Sequence, residues 1–170
     1  MQRFIFFICC FFLSFSSAIA SDLKLSWGNL DGFTDVVERG RERKEFRALV
    51  QSEFTHMFYS LANQLPENFC LVVKITDIDL AGRSSVLVPV DRDQIDWPRI
   101  NFHYELRNAT NEIIAQGEES LSDPGYARSI RKAPNYGPFE KEERMLNDWF
   151  RLKVRSGLFD VKNLMKVSNR

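Results

Sequence analysis

Residues 46–78, FRALVQSEFTHMFYSLANQLPENFCLVVKITDI, carry two hydrophobic periodicities in succession. In the first part Phe46, Leu49, Val50, Phe54, Met57, Phe58, Leu61 and Leu65 recur at three- and four-residue steps. That spacing predicts an amphipathic helix of about five turns, beginning near Arg41 to Lys44 and stopping before Pro66. From Phe69 to Ile78 the period falls to two. Phe69, Leu71, Val73 and Ile75 fall on one face, and Cys70, Val72, Thr76 and Ile78 on the other. Apolar residues on both faces predict a central strand.

Working outward from this helix-strand unit, Asp22 to Trp27 alternates Leu23, Leu25 and Trp27 with polar residues, which reads as a half-buried strand. Gly28 to Gly32 breaks it. Beyond the central strand, Gly82 to Trp97 carries Pro89 and three aspartates and reads as an irregular connection, with Val86 to Val88 as a short edge strand. Ile100, Phe102, Tyr104 and Leu106 then alternate with Asn101, His103, Glu105 and Arg107. Asn108-Ala109-Thr110-Asn111 turns the chain, and Glu112 to Leu121 returns as the partner strand. Asp123-Pro124-Gly125 ends this hairpin, and Ala127 to Pro138 reads as an ordered loop or a flap. A second helix is predicted from Phe139. It has Glu140, Glu142 and Glu143 in its first turns, Met145, Leu146, Trp149 and Phe150 on one side, and Gly157 as its stop.

The resulting order is strand-helix-strand-strand-strand-helix, without internal repeat. It predicts an α+β chain, a two-layer α/β sandwich in which a mixed sheet of about four strands carries both helices on one face.

The first 20 residues stand apart. Six of the 15 phenylalanines lie there behind the single charge of Arg3, and the apolar run ends at Ala18-Ile19-Ala20. This is the pattern of a secretory signal peptide cleaved between Ala20 and Ser21, and the run from Phe4 to Leu13 is short for a membrane span. The expected organisation is a signal peptide over 1–20, one globular domain over 21–157, and a tail or docking helix over 158–170. Cleavage removes Cys9 and Cys10, leaving Cys70 as the sole thiol, so no internal disulfide can form. Between Phe69 and Leu71 it reads as a small core residue, not a nucleophile. With 23 residues of each charge sign and 27% charged residues, the chain has no broad field for gathering nucleic acid.

Several short motifs occur in order: Leu65-Pro66, Thr76-Asp77-Ile78-Asp79-Leu80-Ala81-Gly82, Trp97-Pro98-Arg99-Ile100, and Glu140-Lys141-Glu142 followed by Met145-Leu146 and Asp148-Trp149-Phe150. Together they resemble an exported bacterial family of uncharacterised proteins, domain of unknown function 3016. Phe33-Thr34-Asp35 fits it loosely. The resemblance implies a single exported domain of Gram-negative bacteria and brings no reaction, cofactor or ligand with it.

Two residue sets are candidates for function. Asp77 and Asp79, two apart on a strand, point to one side and with His103 would form an acid-base or metal-assisted centre. Their run begins like a calcium loop, but Ala81 and Val88 stand where further ligands belong. The simpler reading places both aspartates in a turn, accepting hydrogen bonds from backbone or Arg83. Glu53 and His56 have helical metal-ligand spacing without the second copy such sites use. In the other set, Arg128, Arg131 and Lys132 lie beside Tyr126 and Tyr136 with no acidic residue between 124 and 139, a surface suited to an anionic glycan, lipid head group or acidic partner. Arg39, Arg41, Arg43, Lys44 and Arg47 interleave with Glu38, Glu42 and Glu45, which favours local ion pairs.

No serine-hydrolase or phosphate-loop motif is present. The sequence therefore favours a non-catalytic interaction or binding module, periplasmic or secreted, without cofactor, whose partner is an envelope protein or an anionic ligand. An envelope hydrolase using Asp77, Asp79 and His103 is the alternative.

Overall fold

The computed structural model describes residues 22–34, 43–80, 97–123 and 139–159. Its elements are β1 (Asp22–Trp27), a 3-10 turn (Leu30–Gly32), α1 (Arg43–Ala62), β2 (Cys70–Asp79), β3 (Arg99–Arg107), β4 (Ile113–Ser122) and α2 (Glu140–Arg155). The strands form one mixed sheet in the order β1-β2-β3-β4. β1 runs parallel to β2, and β2-β3 and β3-β4 are antiparallel. A parallel pair requires a long crossover, and α1 supplies it.

Both helices lie on the same face, and the sandwich predicted from the sequence is the observed one. Phe46, Val50, Phe54, Phe58 and Leu61 of α1 enter one core with Leu71, Val73 and Ile75 of β2 and with Ile100, Phe102, Tyr104 and Leu106 of β3. Trp149 of α2 packs edge-on against Phe102 at 5.0 Å and Tyr104 at 5.3 Å between ring centroids. At roughly 1.5–3 kcal/mol for each fully buried side chain of this size, these aromatics are the main hold on the helices.

Past α2 the chain turns back. Gly157 has φ +78°, in the left-handed region that favours glycine, and the Phe159 N–H reaches the Lys153 carbonyl at 3.0 Å. Phe159, in the stretch read as a tail or docking helix, is thereby fully buried against Tyr104, Trp149 and Phe150.

The β3-β4 turn is organised by one side chain. Asn108 Oδ1 accepts from the backbone N–H groups of Thr110 and Glu112 and from the Thr110 hydroxyl, while its Nδ2 donates to Glu112. Asn111 takes the positive φ that closes the turn.

The helix predicted to begin near Arg41 to Lys44 and stop before Pro66 is found over Arg43–Ala62, and the predicted spans of the four described strands agree with the elements found. One face assignment does not. The β2-β3 register slips between Ile75 and Asp77, leaving Thr76 as the extra residue of a bulge. The bulge inverts the alternation, so that Ile78, expected opposite Ile75, rejoins the core opposite Ile100 and is fully buried. Cys70 is also not a core residue: even-numbered positions of β2 before the bulge face away from the helices, and Cys70 is partly exposed. The expected edge strand at Val86 to Val88 lies outside the described residues.

Candidate functional site

The face of the sheet turned away from the helices is polar. Ser26, Lys74, His103 and Glu118 form one transverse row across all four strands, and Asp77, Asn101 and Ser120 a second. Because of the bulge at Thr76, Asp77 and Asp79 both belong to this face, Asp77 opposite Asn101 and Asp79 opposite Arg99. His103, two positions from Asn101 along β3, is a diagonal neighbour of Asp77. The structure thus brings the three candidate residues of the hydrolase reading onto one surface.

Their individual contacts serve the fold. The sequence placed Asp77 in a turn served by backbone or by Arg83. Instead it lies within the strand, and its two carboxylate oxygens accept from the Thr34 N–H (2.8 Å) and the Thr34 hydroxyl (2.7 Å). These bonds tie the β1-α1 connection to the middle of the sheet. Phe33, one residue earlier, is buried against Trp27. Asp79 is buried, at 3% exposure. His103 is half exposed, its Nε2 3.8 Å from the Glu118 carboxylate. Among the described residues no group of three His, Cys, Asp or Glu side chains is placed to hold a metal ion. His56 is exposed on α1.

Cys70 begins β2 on the same face. Burial pushes its thiol pKa up, and the neighbouring Asp22 carboxylate pushes it further, which outweighs Lys24 and Arg107. The thiol is therefore protonated at neutral pH and a weak nucleophile. Of the basic cluster, Arg47 pairs with Asp31 of the 3-10 turn at 2.6 Å.

A second location lies between β4 and α2, where a groove of about 690 Å³ is lined chiefly by Leu121, Asp123, Arg144, Trp149, Leu152 and Lys153. Two ion pairs bridge its walls, Lys153 to Glu119 at 2.6 Å and Arg144 to Asp123 at 2.5 Å. Lys153 also stands over the Tyr104 ring, 5.3 Å from its centroid. Partial burial pulls the Lys153 pKa down, but the hydrogen bond and charge of Glu119, with Tyr104, prevail and hold it above its ordinary value. Two leucines of the groove lining are exposed, Leu152 at 63% and Leu158 at 47%, among charged and hydroxyl side chains.

The sequence did not single out this groove. Its one visible sign was Leu152, an apolar residue of α2 off the stripe formed by Met145, Leu146, Trp149 and Phe150. Tyr126, Arg128, Arg131, Lys132 and Tyr136 lie outside the described residues. By chain connectivity their segment runs from Asp123, in the groove wall, to Phe139 at the start of α2.

Comparison with known families adds one match. Residues 21–152 fit the profile of the family described as Protein of unknown function (DUF3016). The chain belongs to this family. Neither the comparison with curated proteins nor that with solved structures finds a match.

Within this DUF3016 domain, the motifs that carried the resemblance meet in the fold. Thr34 bonds Asp77, the Pro98 carbonyl accepts from the Asp123 N–H, the Pro66 carbonyl accepts from the Phe69 N–H, and Met145, Leu146, Trp149 and Phe150 are core. They join connections to the sheet and helices to the core. No described helix is long and apolar enough to cross a membrane.

Proposed function

We propose that this domain is exported, with cleavage between Ala20 and Ser21, and acts in the Gram-negative envelope as a non-catalytic interaction module. Its partner is an envelope protein or an anionic ligand. The family match begins at residue 21, where the mature chain is expected to start, and this supports the export reading. The observation that carries the module reading is the groove between β4 and α2. It combines exposed leucines with walls tied to each other by two ion pairs, features of a fixed surface that receives a partner side chain. The segment with Tyr126, Arg128, Arg131, Lys132 and Tyr136 follows Asp123 in the chain and brings cationic and aromatic residue types to the reading.

Site-specific photocrosslinking tests this. A photoreactive residue at position 152, in cells exporting the protein, is expected to give a discrete adduct. The same residue at Tyr59, exposed on α1, is expected to give none. Replacing Arg128, Arg131 and Lys132 by alanine should weaken the adduct. No adduct at 152, or equal adducts at both positions, overturns the reading.

The hydrolase alternative has the shared face of Asp77, Asp79 and His103 in its favour, and the engagement of both Asp77 oxygens by Thr34 against it. A folded Asp77→Asn protein that loses a bound metal would favour it.

A further inference from the structure

Strand β4 is an edge of the sheet, and among the described residues no strand pairs with its outer side. The phase of the ladder tells which backbone groups are left over. In an antiparallel pair, alternate residues direct both N–H and C=O at the partner and the residues between them direct both away. The Asp123 N–H donates to the Pro98 carbonyl at 3.4 Å. Leu121, Glu119, Gly117 and Ala115, opposite Ile100, Phe102, Tyr104 and Leu106, share that phase. Gln116, Glu118, Ser120 and Ser122 therefore present their N–H and C=O groups outward, and all four residues are exposed.

The charge along this edge has one sign. From Asn108 to Ala127 the chain has Glu112, Glu118, Glu119 and Asp123 and no lysine or arginine. Glu119 and Asp123 are met by Lys153 and Arg144. Among the described residues Glu118 has only the distant His103 beside it, and Glu112 only the neutral donors Asn108 and Thr110, whose hydrogen bonds hold its carboxyl below the usual range. A second copy is a poor occupant: β4 paired antiparallel with itself about Glu118 sets that carboxylate against its own copy, and opposed like charges destabilise a ladder.

A strand laid along this edge would point alternate side chains to the two faces of the sheet. On the helix side they meet the groove with Leu121, Leu152 and Leu158. On the open side they meet Gln116 and Glu118.

We propose that β4 receives, by strand addition, an extended segment of another protein in which apolar and basic side chains alternate. The apolar side chains enter the groove, the basic ones pair with Glu118 and Glu112, and the main chain bonds the outward groups of residues 116–122. This deepens the interaction-module reading and rests on it.

The test uses the mature chain and two synthetic octapeptides, one alternating lysine and valine, the other glutamate and valine. The lysine peptide is expected to slow amide exchange at Gln116, Glu118 and Ser120 by at least about tenfold, and the glutamate peptide to leave it unchanged. Ser120→Pro removes one outward N–H without breaking the ladder to β3, and should weaken the lysine peptide by about tenfold where Ser120→Ala does not. If Ser120→Pro fails to fold, Glu118→Lys reads the same contact and should lose the preference for the lysine peptide. Protection elsewhere on the sheet, equal protection by both peptides, or undiminished binding by the folded proline variant overturns the proposal. A Leu152 adduct without edge protection overturns strand addition alone, whereas edge protection without that adduct counts against the groove reading alone.

Discussion

Asp77 shows how far a residue type can be read without its surroundings. Two aspartates at strand spacing suggested shared chemistry, and both do face one side, but the acceptor capacity of Asp77 is taken up by a threonine 43 residues earlier. Nothing in the local pattern marks Thr34 as that partner, because the contact is made by the crossover geometry. Replacing Asp77 by alanine is expected to cost about 0.5–1.5 kcal/mol, because the Thr34 donors it frees are exposed and water can take over part of the bonding. Asp77→Asn, which keeps one acceptor oxygen, should cost about half as much by the same reasoning. Urea denaturation of both variants checks the order. An Asn variant as unstable as the Ala variant would mean that charge, not the pair of hydrogen bonds, holds the connection. Ile78 was misplaced because a period-two pattern assigns faces only up to the first bulge, and the phase change at Thr76 leaves no residue-type signature. Cys70 precedes the bulge and lies on the face the pattern gave it; its apolar neighbours suggested burial on a face that is partly open.

At the scale of elements, helix and strand spans were legible because their periodicity is long and uninterrupted, and their ends carry Pro66, Gly157 and the Asn108 turn. What periodicity does not carry is the close approach between strands. Tyr104 lies across Gly117, and a Cβ there would stand 2.9 Å from the Tyr104 ring. That ring is held by Trp149, Phe159 and Lys153, so it has little room to yield. Gly117→Ala should therefore destabilise the protein by about 1–3 kcal/mol, read from its thermal or urea midpoint. The Glu119-Lys153 pair makes a further prediction for the β4-α2 contact. The folded pKa of Lys153 is raised, so its contribution is complete below the unfolded value of about 10.4 and disappears as pH rises through the folded one. The stability difference between the wild-type chain and Lys153→Met should be constant through neutral pH and shrink in the alkaline range. A difference that persists unchanged there would assign the loss to packing.

For the whole molecule, the sandwich was derivable from element order, whereas the groove was not, since it depends on how far α2 overhangs the sheet edge. Phe159 closes that end of the core from beyond the second helix. Phe159→Ala should cost about 3–5 kcal/mol, and a urea midpoint near that of the wild type would show that the turn after α2 is dispensable. The opposite edge has a different character. Among the described residues β1 has one neighbour, its core-side Leu23, Leu25 and Trp27 are only partly buried, and its partner residues lie 48 positions away, Asp22 against Cys70 and Trp27 against Ile75. The β2-β3-β4 meander has short-range pairing at its hairpin and a full aromatic layer beneath it. The native state is therefore expected to open unevenly, β1 detaching as a small cooperative unit while the meander and both helices stay closed. Native-state hydrogen exchange should record this as a lower opening free energy for the amides of Leu23 to Trp27 than for those of Phe102 to Leu106. The molecule would then have one edge firm enough to serve as a template and another that comes loose first.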